Sequence, residues 1–135
     1  MSIDPQTLIA AARASLARAY APYSHFQVAA AVVDEQGRVF TGVNVENLSY
    51  GLAVCAERVA IFAAIAAGAR RITAVAVTSS GAELLSPCGA CRQVIAEFAA
   101  ADVRVHCDAP GGPHTWQVGE LLPHGFTASQ LGRES

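Results

Sequence analysis

Apolar positions along the chain fall into alternating helical and extended runs. Asp4-Pro5 reads as an N-cap with proline at the first helical position. Leu8, Ala11, Ala12, Leu16, Ala19 and Tyr20 then recur at helical spacing, and Pro22 ends the pattern. Gln27 to Val33 reads as a strand, Asp34-Glu35-Gln36-Gly37 as a turn and Arg38 to Asn44 as the returning strand of a hairpin. A polar loop, Asn44 to Gly51, precedes a helix over Val54 to Ala67 that Gly68 closes. Ile72 to Thr78 predicts a buried strand, Cys88 to Ala99 a helix and Val103 to Cys107 another strand. After the Pro/Gly-rich loop Asp108 to Pro113, Thr115 to Val118 reads as a last strand and Glu120 to Leu122 as a helical turn. Residues 127–135 read as a loose tail. Strands alternating with helices after a hairpin predict an α/β fold. The expectation is a single three-layer α/β/α domain over residues 1–135, with parallel pairs in a mixed, mostly five-stranded sheet.

Composition sharpens this picture. The chain is 53% hydrophobic and only 15% charged, against about a quarter charged in an ordinary domain. So apolar a chain of 135 residues has difficulty hiding everything inside itself, which predicts a homo-oligomer. The net charge is −2, every basic residue is arginine, and no basic run could track a phosphate backbone. A nucleic-acid polymer is therefore not the expected partner. Val59 to Ala67, the most apolar stretch, is too short to cross a bilayer, so no membrane partner is expected. The N-terminus lacks a basic region followed by an apolar core. Four cysteines, two of them in Cys-x-x-Cys, suit metal binding in a reducing compartment better than a disulfide framework. The expected location is cytoplasmic.

The chemistry concentrates in two short pieces, Cys55-Ala56-Glu57-Arg58 and Pro87-Cys88-Gly89-Ala90-Cys91-Arg92-Gln93. Each opens a predicted helix, where backbone N–H groups and the positive end of the helix dipole favour thiolate, the metal-binding form. Cys88 and Cys91 stand at i and i+3 on the first turn, and Cys55 supplies a third thiol. Three protein ligands leave the fourth position of a tetrahedral zinc ion open for water, as a catalytic site requires. Cys55 and Glu57 lie two apart and would point in opposite directions on a regular helix. They serve one site only if it lies beyond the helix end. A non-ligand Glu beside one ligand and a later Pro-Cys-x-x-Cys is the pattern of zinc deaminases. Two other readings stay open at this point. Cys88 and Cys91 alone could form a redox dithiol. A closed structural zinc site would need Cys107 or one of His25, His106, His114 and His124 as fourth ligand.

The chain as a whole resembles the small, homotetrameric type of cytidine deaminase. The resemblance rests on the segments Ala19–Val28, Gly42–Asn47, Cys55–Arg58, Pro87–Gln93 and Leu121–Phe126, which run in family order over nearly the whole length. It implies one zinc ion per subunit on Cys55, Cys88 and Cys91, with Glu57 moving protons while activated water attacks C4 of the pyrimidine and ammonia leaves. It also implies that Asn44 and Glu46 hold the ribose 3′-hydroxyl, Phe26 packs against the pyrimidine, and the backbone N–H of Ala56 meets O2. Tyr50 and Phe126 correspond to positions that complete a neighbouring subunit's site, so active sites would be shared within a homotetramer. A small nucleoside, cytidine or deoxycytidine, is the implied substrate, and pyrimidine salvage the implied role. Blasticidin-type deaminases share the zinc pieces, but the Asn44–Asn47 loop, Tyr50 and Phe126 favour plain cytidine. Arg58 has a separate physical rationale. Three thiolates leave a zinc centre negatively charged, and a guanidinium donating to one sulfur restores acidity to its water. Arg92 and Gln93 are expected to cap or pack, and Cys107 to be a buried strand cysteine.

Overall fold

The computed structural model describes residues 3–132. Helix α1 spans Pro5–Ser15, and the Asp4 carboxylate caps it by accepting the N–H groups of Gln6 and Thr7 at 3.1 and 3.3 Å. It passes into a single 3-10 turn, Leu16–Arg18, and stops short of the expected end at Tyr20. The reason is a competing set of partners. The Tyr20 N–H donates to the Asn44 carbonyl at 3.0 Å, and its carbonyl accepts from Glu46 N–H at 2.9 Å. Tyr20 therefore joins an isolated bridge to Val45 and leaves the apolar stripe altogether.

Strands β1 (Val28–Asp34) and β2 (Val39–Val43) form the expected hairpin. Asp34 organises its turn by accepting N–H groups from Gln36 and Arg38 at 3.0 and 2.8 Å, with Gly37 at φ 78°. Strand β3 (Ile72–Ser79) lies antiparallel on the other side of β1. Strand β4 (Arg104–Cys107) runs parallel to β3, and β5 (His114–Gln117) antiparallel to β4. The sheet order is β2-β1-β3-β4-β5. It is mixed and five-stranded as expected, but of its strand pairs only β3–β4 is parallel among the described residues.

Helices cover both faces of this sheet, so β1 is buried along its whole length. On one face Ala29, Ala31, Val33 and Ala76 meet Leu8, Ile9 and Ala12 of α1. On the other, Val28, Ala30, Val32, Val75 and Val77 pack with Ala56, Ala60, Ile61 and Ala64 of α2 (Ala56–Ala66) and Ile95 of α3 (Gly89–Phe98). Each large aliphatic side chain removed from water contributes roughly 1.5–3 kcal/mol. The alanines bring the layers close. Closest of all is Gly42 on β2, where a Cβ would sit 2.4 Å from Ala60 N and 2.7 Å from Ala56 O. That contact seats the N-terminal half of α2, and with it Cys55 and Glu57, against the sheet.

The helix starts at Ala56, two residues later than expected, because Val54 is engaged in a bridge to Val45. Helix α4 spans Val118–Leu121. The segment expected as a loose tail carries a 3-10 turn, Ala128–Leu131, with a Thr127/Gln130 capping box; residues 133–135 lie outside the described part of the chain.

Candidate metal centre

Cys55 and Cys88 are the N-cap residues of α2 and α3. Both have extended backbones, φ −73° and ψ 154° for Cys55, φ −67° and ψ 167° for Cys88, and neither side chain caps its own helix. A serine or aspartate here would turn back onto the first-turn N–H groups. The larger, weakly accepting sulfur instead stays available outside the helix end. Cys91 is the third residue of α3, buried in its first turn. The Sγ atoms of Cys55, Cys88 and Cys91 lie within 4.8 Å of one another, and those of Cys55 and Cys88 are 3.9 Å apart. All four cysteines are free.

The geometry suits zinc. Ligand sulfurs at about 2.3 Å from a tetrahedral zinc ion stand roughly 3.8 Å from each other, close to the Cys55–Cys88 separation. Three soft sulfur donors are the ligand chemistry zinc selects. Among the described residues no other group joins the cluster. Cys107 is buried in β4, and the His106 ring is bound to the Thr115 hydroxyl at 2.7 Å. Among the described residues there is no fourth protein ligand of the kind a closed structural site would need.

The three thiols differ in acidity. A hydrogen bond from Cys91 draws the Cys55 thiol down to about 5, against the opposing effect of burial, with Arg58 adding to the shift. The same bond and burial push the Cys91 thiol well above its ordinary value. Burial, with the Glu57 charge adding and Arg92 opposing, pushes Cys107 up to about 12, the behaviour of an inert core thiol. Arg58 Nη2 donates to Cys55 Sγ at 3.6 Å, and its Nε is buried without a hydrogen-bond partner. A guanidinium is rarely held so, and it supplies positive charge beside the sulfurs.

Glu57, in the first turn of α2, is buried. Burial raises its carboxyl above the ordinary range, and the neighbouring Cys55 charge adds to this. Ala56, also buried, is the first residue of α2, so its N–H is one of the donors that a helix leaves without an internal acceptor.

Phe26, Asn44, Glu46 and Tyr50 stand in the loops before α2, and Phe126 in the C-terminal segment. Asn44 Oδ1 accepts the Val28 N–H and its Nδ2 donates to the Phe26 carbonyl, both at 2.9 Å. Glu46 Oε1 accepts the N–H groups of Tyr23 and Ser24 at 3.0 and 3.1 Å, while Oε2 accepts the Ser24 hydroxyl. Both side chains therefore brace the segment that presents Phe26. Phe26 is partly exposed, and its ring fits over Gly81, where a Cβ would sit 2.9 Å from it. Tyr50 is exposed, edge-on to Tyr23 with ring centres 6.2 Å apart. Phe126 is exposed too, its carbonyl held by Gln93 Nε2 at 3.1 Å. Arg92 ties the metal loop to the C-terminal segment, donating to the carbonyls of Pro87 and Leu121 at 2.7 and 3.0 Å. Sequence reasoning missed Ser24. The run Tyr23-Ser24-His25-Phe26 shows a turn-forming serine, but not that its partner lies 22 residues further on.

Comparison with known proteins points the same way. Residues 2–107 match the family model described as the cytidine and deoxycytidylate deaminase zinc-binding region. A cytidine deaminase of Halalkalibacterium halodurans is 45% identical over 130 residues, covering 96% of this chain and 98% of that protein. The crystal structure of a cytidine deaminase from Burkholderia pseudomallei superposes with a TM-score of 0.87 at 46% identity, covering 92% of this chain and 100% of the other. That of a cytidine deaminase from Mycobacterium tuberculosis gives 0.82 at 40% identity, covering 93% and 99%.

Proposed function

The chain belongs to the cytidine and deoxycytidylate deaminase family, and we propose that residues 1–135, as one catalytic domain, convert cytidine and deoxycytidine to uridine and deoxyuridine. Water is consumed and ammonia released. The observation that carries this reading is the cluster of three thiols at two helix N-termini with the buried carboxyl of Glu57 beside it. Cys55, Cys88 and Cys91 would hold one zinc ion per subunit, which would supply the Lewis acid that makes water nucleophilic at neutral pH.

The remaining work falls to the chain's own side chains. Glu57 takes a proton from the attacking water and delivers it to N3, which makes C4 electrophilic. It then moves a proton to the departing amine. A carboxyl that acts first as base and then as acid works best with its acidity shifted toward neutrality, the direction that burial imposes on Glu57. The Ala56 N–H receives O2 and fixes the ring's orientation. Phe26 covers the ring's face, Asn44 and Glu46 take the sugar 3′-hydroxyl, and Tyr50 and Phe126 reach a neighbouring copy's pocket. The free thiols suit the reducing cytoplasm, and the activity suits pyrimidine salvage.

Ultraviolet monitoring of cytidine, with uridine and ammonia identified as products, tests the reaction. Cytidine and deoxycytidine are expected to react and free cytosine to react poorly, because groups built for a hydroxyl are left unpaired without it. Equal turnover of cytosine, or deamination within single-stranded DNA, would overturn the assignment.

A further inference from the structure

The segment carrying Phe26 has little hydrophobic anchoring. Pro22 to Phe26 are all exposed, and His25 adopts a left-handed backbone, φ 59°. Polar bonds hold it instead, and one hydroxyl is central to them. Ser24 Oγ accepts the Phe26 N–H at 3.0 Å and donates to Glu46 Oε2. Glu46 Oε1 is occupied by two N–H groups of the same turn. An ionised carboxylate has about four acceptor positions. Three are filled, and the one that remains is on Oε2, the oxygen Ser24 touches.

We propose that Ser24 is a positioning residue for sugar recognition, its hydroxyl fixed between the Phe26 N–H and Glu46 Oε2 so that the last acceptor position of that oxygen faces the nucleoside 3′-hydroxyl. This rests on the nucleoside reading above and adds the residue that aims the carboxylate. Without Ser24 Oγ the carboxylate rotates about its last torsion, and the Phe26 N–H loses its acceptor. The sugar hydroxyl is remote from C4, so the loss weakens substrate and transition state alike and falls on KM rather than kcat. Preorganisation of one carboxylate by one hydroxyl is the physical content of the proposal.

Ser24→Ala and Ser24→Thr test it in the zinc-loaded enzyme, with deoxycytidine and with 2′,3′-dideoxycytidine, the latter measured as a competing ligand if its turnover is slow. For Ser24→Ala the preference for deoxycytidine over the dideoxy compound is expected to fall by about tenfold, the size of a lost charge-assisted hydrogen bond. kcat for deoxycytidine should hold, and Ser24→Thr should restore most of the preference. A purely structural role would weaken both ligands equally. An unchanged preference in Ser24→Ala, an equal loss for both ligands, or no recovery with threonine each overturns the role of Ser24. A wild-type enzyme with no preference for the 3′-hydroxyl overturns the Glu46 contact beneath the proposal, and with it the proposal. Failure of wild type to deaminate either nucleoside is a different result and removes the nucleoside reading itself.

Discussion

Cys55, Cys88 and Cys91 are legible in the sequence because their spacing can be converted to geometry. An N-cap and a first-turn position each point a side chain off a helix end. Replacing Cys88 or Cys91 by alanine should therefore leave too few donors, and metal analysis should find zinc lost from the variant. Because a bound metal also stabilises the folded chain, those variants should melt earlier. Full zinc content in Cys88→Ala and Cys91→Ala would remove the assignment. Glu57 is tested differently, by a substitution that keeps its size and its burial. Glu57→Gln cannot carry a proton, so turnover should drop by at least about 10²–10⁴-fold, the range of general acid–base catalysis, while zinc stays. A variant retaining a tenth of wild-type turnover would show that this carboxyl is not the shuttle. Asn44 and Glu46 stand out in the sequence as candidates only through resemblance. Their residue types suit any polar loop, and nothing local in the sequence shows that they brace Phe26 from across the hairpin.

Helix and strand positions followed closely from periodicity, and the errors lie where long-range backbone pairing overrode it. Tyr20 fits a helical stripe, yet its peptide groups find partners at Asn44 and Glu46, and α1 stops earlier. The tight seating of α2 on Gly42 was equally invisible, since a glycine in a strand does not announce which backbone approaches it. A third hidden contact ties α1 to the far ends of β3 and β4. Asp108 accepts Arg13 Nε at 2.8 Å and the Thr78 hydroxyl at 2.7 Å. Burial raises the Asp108 carboxyl, but the Arg13 and Thr78 bonds outweigh it and hold the group below its usual range. A carboxyl more acidic in the folded chain than in the unfolded one favours folding wherever it is ionised. The contribution is present above the unfolded value, near 3.8, and disappears as pH falls through the lower folded value. Asp108→Asn should thus unfold more easily than wild type at pH 7, by roughly 1–2 kcal/mol for hydrogen bonds to a charged group. The gap should narrow steadily below about pH 4. Denaturant titrations at several pH values measure it, and a gap independent of pH would assign the effect to packing.

The surface of a single chain exposes several large apolar side chains. Leu48, Tyr50, Leu52, Phe126 and Leu131 are 60% exposed or more, and Tyr20, Tyr23 and Val45 are exposed as well. Tyr20 pairs with Val45, Val45 with Val54, and Tyr23 lies against Tyr50, so part of this apolar surface sits on the segments that carry Phe26, Asn44 and Glu46. We propose that this surface packs against another copy of the chain. Closed symmetry would make every site equivalent, and an obligate interface would bury far more apolar area than a chance contact. A homotetramer with shared sites predicts complementation. One variant, Glu57→Ala, lacks the proton carrier but retains Phe126; a second, Phe126→Ala, lacks the lent ring but retains Glu57. Mixed assemblies contain sites in which an intact Glu57 of the second variant meets an intact Phe126 of the first. Co-expression should then restore part of the activity that neither variant shows alone, once Phe126→Ala is shown to assemble and to be severely impaired. Light scattering checks the assembly and nucleoside turnover checks the sites. A fully active monomer, or mixed tetramers no more active than the two variants assayed separately, would mean that each chain completes its own pocket.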